Sequence, residues 1–271
     1  MADVLVWGEQ HHGTLSRPSL EAFAVGKGIA RSAGGRLLGA VAGKADFERT
    51  GAETIFTCTA REYIGEAYAS FVLAAVRKAA PAFIILPATA NGKDLAARLS
   101  AALDCCLASE CTAVSLNGPS LEVRRPVYAG KLIASVELSG SPQIVTLRPH
   151  AFEAEKLNSS PTITELAFEL PQGASVKEFR EEKQKKVDLT EAEVVVSGGR
   201  GLGGQSSSGS SRSWQRRSGG SWEPRARQWT QAGAPIPTRL ARQARSSRQS
   251  CTSPAASPAR YSTASGCRIR R

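Results

Sequence analysis

The sequence lacks the features that mark membrane and exported proteins. No stretch of its 271 residues reaches the roughly 18 consecutive apolar residues that a membrane-spanning helix needs. The chain opens directly on the segment DVLVW, without the charged region, long apolar region or Arg-rich amphipathic run of a targeting peptide. We therefore expect a soluble intracellular protein without a membrane span.

Metal-binding patterns are missing as well. The six cysteines include no Cys-x-x-Cys pair and have no histidine at zinc-finger spacing. Because the adjacent Cys105 and Cys106 are followed by apolar residues, buried free thiols in a reducing compartment fit best. His11 and His12 could bind a metal, but no cluster of cysteines or carboxylates accompanies them, so we favour a polar loop. We expect no metal site.

No catalytic constellation stands out either. His150 beside Pro149, the scattered serines near the carboxyl end, and the pair Glu181 and Glu182 lack the context of a nucleophile with its base or of paired acids. We therefore expect no catalytic residues.

Lysine is absent from residues 205–271, which hold thirteen arginines and a single acid, Glu223. This segment carries a formal charge of +12 and the whole chain +11, so residues 1–204 are nearly neutral at −1. Few aliphatic residues and high net charge leave too little apolar surface to offset chain entropy, which predicts a disordered basic tail. One alternative is a nucleic-acid-binding arm, with arginines on phosphates and residues such as Trp214 stacked on bases.

Before the tail, strand-like and helix-like segments alternate. We predict strands at 4–7, 37–41, 54–57 and 83–87, and helices at 19–32, 64–79 and 91–103. The run 83–87 is continuously apolar, as in strands that are buried on both faces. This alternation predicts an α/β fold, with a parallel sheet flanked by helices.

The rhythm then changes to short strands separated by turn residues. We predict these strands at 112–116, 121–126, 131–138 and 143–147, and hairpins that complete or edge the sheet are the simplest interpretation. Residues 158–193 are expected to be a connector, in which 177–186 form a solvated helix face, and a new strand begins at 193–196.

Two segments could approach a phosphate. Residues 194–204 are a strand running into a Gly-rich turn, which is either a phosphate-binding turn or only a tight turn. The segment Asn-Gly-Lys-Asp at 91–94 could lie beside a nucleotide at a strand-to-helix turn, or it could be a capped helix start. We favour the capped helix start, because Asp94 is a suitable acid early in a helix.

Four runs together resemble the α subunit of the electron-transfer flavoprotein family. They are NGKDLAAR at 91–98, RPVYAGK at 125–131, VTLRPHAF at 145–152 and VVVSGGRGL at 194–202. The resemblance covers residues 1 to about 204. In that family the arginine of the Ser-Gly-Gly-Arg-Gly run contacts FAD, and here the matching residue is Arg200.

The resemblance implies a domain order. It predicts an N-terminal α/β domain at 1–157, a connector at 158–193, the start of an FAD-binding domain at 194–204, and a tail at 205–271 outside the family pattern.

The resemblance also implies a function. Family members are electron carriers rather than enzymes: bound FAD accepts electrons from acyl-CoA-type dehydrogenases, as in fatty acid β-oxidation, and passes them to a membrane-bound, quinone-linked oxidoreductase. They work as heterodimers with a β subunit that packs against the N-terminal domain. The implied location is the cytoplasm in a bacterium and the mitochondrial matrix in a eukaryote.

The resemblance implies that the FAD-binding domain continues with three motifs that hold the flavin and its pyrophosphate, and back-translation of the tail yields them in another reading frame. With suitable synonymous codons, residues 223–233 become GASRAAVDAGW, residues 238–245 become HQVGQTGK, and residues 252–263 become YIACGISGAIQH. All three lie in one shifted frame and in family order. Because each visible residue leaves few choices at the shifted position, we infer a frameshift near residue 204 or 205.

Two outcomes stay open for the chain as written. The N-terminal domain could keep binding its partner as a scaffold without electron transfer, or it could expose apolar surface and be lost to aggregation or degradation.

Resequencing the genomic DNA across codons 200–210 tests the frameshift. We expect one frame to encode residues 1–204 and a second frame to encode the three motifs downstream. DNA whose shifted frame lacks these motifs contradicts the inference.

Overall fold

The protein is described by a computed structural model. It describes residues 2–59, 63–155 and 157–168, and farther along the chain the backbone of three short strands. The chain divides into two units: Met1–Phe179 together with Ser257–Arg271, and Arg180–Ala256.

The described strands and helices are given in chain order. The strands are β1 (Val4–Gly8), β2 (Gln10–His11), β3 (Thr14–Leu15), β4 (Leu37–Ala42), β5 (Thr54–Cys58), β6 (Phe83–Pro87), β7 (Leu107–Cys111), β8 (Ala113–Asn117), β9 (Ser120–Val127), β10 (Leu132–Leu138), β11 (Gln143–Leu147), β12 (Thr162–Glu165), β13 (Val195–Gly198), β14 (Ser221–Pro224) and β15 (Cys267–Ile269). The α-helices are α1 (Arg17–Ala33), α2 (Gly65–Ala79) and α3 (Ala90–Leu103), and 3-10 turns lie at Phe47–Thr50 and Tyr128–Gly130.

Seven strands form a parallel sheet in the order β12-β5-β4-β1-β6-β11-β7. The α/β fold is therefore confirmed. Side chains alternate across this sheet: Val4 and Val6 of β1 point to one core, and Leu5 and Trp7 to the other. Helix α1 covers the first face with Phe23, whereas α2 and α3 cover the second.

The helices begin and end close to their predicted bounds. Helix α1 starts two residues earlier than predicted, because Pro18 fits the first turn, where its missing N–H is no loss. It ends at Gly34, whose φ of 62° is the left-handed conformation that favours glycine. The side chain of Thr89 caps α3 by accepting a hydrogen bond from Gly92 N at 3.0 Å.

The predicted strands after residue 111 form, but three of them are not where we expected them. Strands β8, β9 and β10 pair in an antiparallel sheet of their own, in the order β15-β10-β9-β8, so they do not edge the parallel sheet. The reason is that Leu121, Val123 and Leu138 are buried in the α1-side core, so this small sheet packs beside α1 and the edge strand β7. Only β11 returns to the large sheet, between β6 and β7.

Two strands of the large sheet are not predicted from the sequence. Strand β7 lies at one edge, and β12 lies at the other, where it pairs in parallel with β5. Strand β12 falls within residues 158–193, which we expected to be a connector, so the sheet extends past residue 157.

Little of the remaining chain lies within the described residues. Strand β13 pairs in parallel with β14, and it includes part of the strand predicted at 193–196. Within the predicted tail the structure describes only β14 and β15. The predicted helix face at 177–186 and the rest of the tail lie outside the described residues, so those interpretations stay predictions.

Two glycines of α1 test how closely the helix packs on the sheet. A Cβ added at Gly26 would lie 2.6 Å from Val6 Cγ2, whereas one added at the exposed Gly28 would meet nothing within 4 Å. We expect Gly26→Ala to cost about 1–3 kcal/mol of unfolding free energy through overpacking. We expect Gly28→Ala to stabilise by up to about 1 kcal/mol through helix propensity. Guanidinium unfolding followed by circular dichroism checks both, and equal effects would contradict the close packing.

Candidate functional site

The strand order points to the end of the parallel sheet at which the strands have their carboxyl ends. From β1 the chain moves through α1 to β4 on one side, and later through α3 from β6 toward the other side, so the strand order reverses between β1 and β6. In open α/β sheets, ligands bind outside the carboxyl ends of the strands at such a reversal. The residues that follow β1 and β6 are therefore the candidate site.

The start of α3 lies at this carboxyl end of the sheet and contains the segment 91–94. Asp94 Oδ2 accepts hydrogen bonds from Tyr63 Oη at 2.8 Å and from Arg98 Nε at 3.0 Å. A Cβ added at Gly92 would lie 1.9 Å from Pro87 O, so this glycine allows the helix to meet the preceding strand. The Asp94 and Lys93 side chains and the Gly92 N–H are bonded within the protein, which supports the capped helix start over the nucleotide site.

Lys93 belongs to a charged cluster beside this helix. Its ammonium pairs with the carboxylate of Glu110, and this bond lowers the pKa of Glu110 below its usual value, with smaller contributions from the charges of Arg148 and Arg125. Arg125 also donates from Nη2 to Ser109 Oγ at 2.9 Å. The cluster joins α3 to β7, β9 and the end of β11.

The start of α1 lies on the other side of the candidate site. Ser19 Oγ accepts from Glu9 N at 2.7 Å and lies 2.9 Å from Ser16 Oγ. The serine hydroxyls at this helix terminus therefore bond to the chain's own backbone and to each other.

Glu21 of α1 is an unexpected buried charge, since it is only 1% exposed. Its Oε2 accepts from His150 N at 2.9 Å, while Oε1 lies 3.6 Å from Arg17 Nε and 4.0 Å from His150 Nδ1. Burial raises the pKa of Glu21 above its usual value, and the hydrogen bond from His150 and the charges of His150 and Arg17 oppose that rise. Glu21 thus ties α1 to the turn after β11.

An aromatic corner lies on the opposite face of the sheet. Trp7 makes edge contacts with Tyr63 and Tyr68, both with ring centroids 6.4 Å away, and the two tyrosine rings lie 4.9 Å apart. Burial, reinforced by the hydrogen bond to Asp94, raises the pKa of Tyr63. The phenol therefore stays protonated at neutral pH and acts as a donor that holds α3 in place.

Cysteine and histidine positions agree with the sequence interpretation where they are described. Cys106 and Cys111 are buried and Cys105 is half-buried, and all are free thiols. Burial raises the pKa of Cys111 to about 12 and that of Cys105 to about 11, so neither is a thiolate at neutral pH. His11 lies at the exposed end of the β2–β3 hairpin. Within the described ranges no group of three His, Cys, Asp or Glu side chains could hold a metal.

The predicted FAD contact is Arg200. Arg200 lies outside the described residues, which stop at the backbone of β13 in this part of the chain, so its role stays a prediction. The residues that the sequence did not single out are Glu21, Tyr63 and Glu110. Their partners lie 129, 31 and 17 positions away, and no local pattern marks such pairs.

A glutamine at position 21 tests the buried charge. A carboxyl whose pKa is raised by folding binds its proton more tightly in the folded state, so stability falls as the pH rises from the usual glutamate value of 4.5 through the raised value. Glu21→Gln keeps an oxygen for His150 N–H but cannot ionise. We expect the stability of the variant relative to the parent to increase as the pH rises through this window, measured by urea unfolding.

The imidazole of His150 needs a control, because its charge also favours the carboxylate. In a His150→Asn background the backbone donor remains, and asparagine tolerates the φ of 62° found here. The trend should persist in this background. Parallel pH profiles for the parent chain and the Glu21→Gln variant would show that burial does not perturb this group.

Comparison with known proteins is consistent with the fold and with the sequence pattern. Residues 4–192 match the sequence model of the electron transfer flavoprotein domain. The chain is 30% identical over 222 residues to the protein FixB of Clostridium saccharobutylicum, covering 74% of this chain and 64% of that protein. It is 30% identical over 212 residues to the electron transfer flavoprotein subunit alpha of Bacillus subtilis, covering 73% and 64%.

A third relative, the electron transfer flavoprotein subunit alpha of Syntrophomonas wolfei, is 29% identical over 218 residues, covering 75% of this chain and 67% of the relative. The chain thus spans about two thirds of the length of these relatives. No helix in the described ranges is long and apolar enough to cross a membrane. Because the domain match extends over more than half of the chain, the chain belongs to the electron transfer flavoprotein family and is of the α-subunit type.

Proposed function

We propose that this protein is the α subunit of a heterodimeric electron carrier. In this role it joins a β subunit, and the pair uses FAD to move electrons from acyl-CoA-type dehydrogenases to a quinone-linked oxidoreductase, without catalysing a net reaction of its own. The observation that carries the proposal is the family match over residues 4–192, which includes the whole parallel sheet.

The resemblance assigns one FAD contact, Arg200, to the part of the chain that follows the family pattern. After residue 204 the sequence lacks the three flavin-holding motifs, which back-translation with suitable synonymous codons yields in the shifted frame. We therefore propose that the chain as written keeps the sheet domain of the α subunit and lacks most of the flavin site.

The relatives match part of the chain. Their alignments cover 73% to 75% of the chain, and the domain match extends from residue 4 to residue 192. The function that remains for the chain as written is binding of the β subunit by the sheet domain.

Flavin content tests this proposal. The 271-residue chain and a frame-restored chain, identical through residue 204, are each co-expressed with a β subunit and purified without added flavin. We expect the visible absorption bands of protein-bound flavin in the restored heterodimer. We expect no detectable flavin with the chain as written, since the cofactor lacks its binding residues there.

Arg200 provides the matched control, because it is present in both chains. Arg200→Ala in the restored chain should weaken FAD retention without preventing heterodimer formation, which separates the cofactor contact from the partner contact. Bound flavin in the purified chain as written would contradict the proposed loss of the site.

A further inference from the structure

The end of the β9–β10 hairpin exposes an unusual amount of apolar surface. Tyr128 is 73% exposed, Leu132 is 58% exposed and Ile133 is 70% exposed. Among the described residues, only Ile163 is also a large apolar side chain with comparable exposure. We call residues 124–135 the hairpin arm.

The register shows why the arm is apolar. In β9 and β10, the pair Val123 and Val136 faces the α1-side core, and Val123 is fully buried. Side chains alternate along each strand, so two positions farther out Arg125 and Ala134 lie on the same face, followed by the Val127 and Leu132 pair. The core-facing side of the hairpin therefore continues beyond the body of the domain and ends in an exposed Leu132.

The opposite face of the arm is apolar as well. Ile133 pairs with Pro126 on this outer face. The turn between the strands holds Tyr128 and Ala129 at φ values of 51° and 57°. Non-glycine residues adopt this left-handed conformation at an energetic cost.

The arm also has an unpaired strand edge and exposed positively charged side chains. Strand β15 pairs with β10 from Val136 to Leu138, which shows that this edge accepts an added strand. Farther out, at residues 132–135, none of the described strands pairs with the same edge. Arg124 and Lys131 are exposed on the arm, so a partner surface beside it should be acidic.

We propose that the hairpin arm is the surface by which this chain binds the β subunit, an inference that rests on the proposed function. Because both faces of the arm are apolar at its end, it needs a partner that encloses it, and a protein cleft does so whereas a flat lipid surface covers one face. The β subunit is expected to present an apolar cleft with an acidic rim and to add a strand along the outer edge of β10. Burying these side chains in a cleft removes apolar surface from water, which favours association.

The test compares two variants of the full-length chain. Leu132→Ser with Ile133→Ser removes the apolar end of the arm, and Ile163→Ser removes a side chain of similar exposure, 57%, on β12. Each chain is titrated with β subunit by isothermal titration calorimetry, and circular dichroism melting checks that both variants remain folded. We expect the double variant to bind at least about tenfold more weakly, and Ile163→Ser to bind like the parent chain.

The outcomes separate the arm from the proposed function. If the parent chain does not bind the β subunit, the proposed function loses its partner and the arm loses its occupant. If the parent chain and the double variant bind equally well with similar melting, the arm is not the contact and the proposed function stands. Loss of self-association in the double variant, with unchanged β-subunit affinity, would assign the arm to a second copy of this chain.

A charge reversal gives an independent readout. Lys131→Glu should weaken binding and remove part of its dependence on salt, because a rim cation acts through long-range attraction to an acidic surface. A salt dependence identical to that of the parent chain would contradict the inference that the partner presents an acidic surface beside the arm.

Discussion

Burial of the parallel strands on both faces is the constraint on which the rest of the structure depends. Strand β1 alternates between the two cores, and Val4, Leu5, Val6 and Trp7 are each at most 1% exposed. Such a strand is stable only when other elements cover both of its faces. Right-handed crossovers then place α1 on one side and α2 and α3 on the other, and the point at which the strand order reverses follows from this.

The sequence predicts the strands and helices that are specified by the residues of their own segment. The apolar run of β6 and the helical periodicity of α2 predict nearly the observed bounds. The strand is apolar throughout because it is buried, and the helix has apolar residues at regular spacing because one of its faces is buried. Strand β7 contains Ser109 and Glu110 and is only partly buried, so its pairing with β11 is set by tertiary contact. The same holds for β8, β9 and β10, whose strand character is local and whose separate sheet depends on the core.

Only the general position of the candidate site was predictable from the sequence. Alternating strands and helices imply that polar turns gather at the carboxyl ends of the strands. They do not reveal that Glu21 is buried, because a glutamate in a helix ordinarily faces solvent and its partner His150 lies 129 positions away. Arg200 is singled out by family resemblance alone, since no physical feature of a glycine-rich turn distinguishes that arginine from others.

Exposed apolar surface bears on the two outcomes that the sequence left open. Three of the four large exposed apolar side chains in the described ranges lie on the hairpin arm. If the arm is the partner surface, binding and aggregation compete for the same residues, and the solubility of the chain depends on its β subunit.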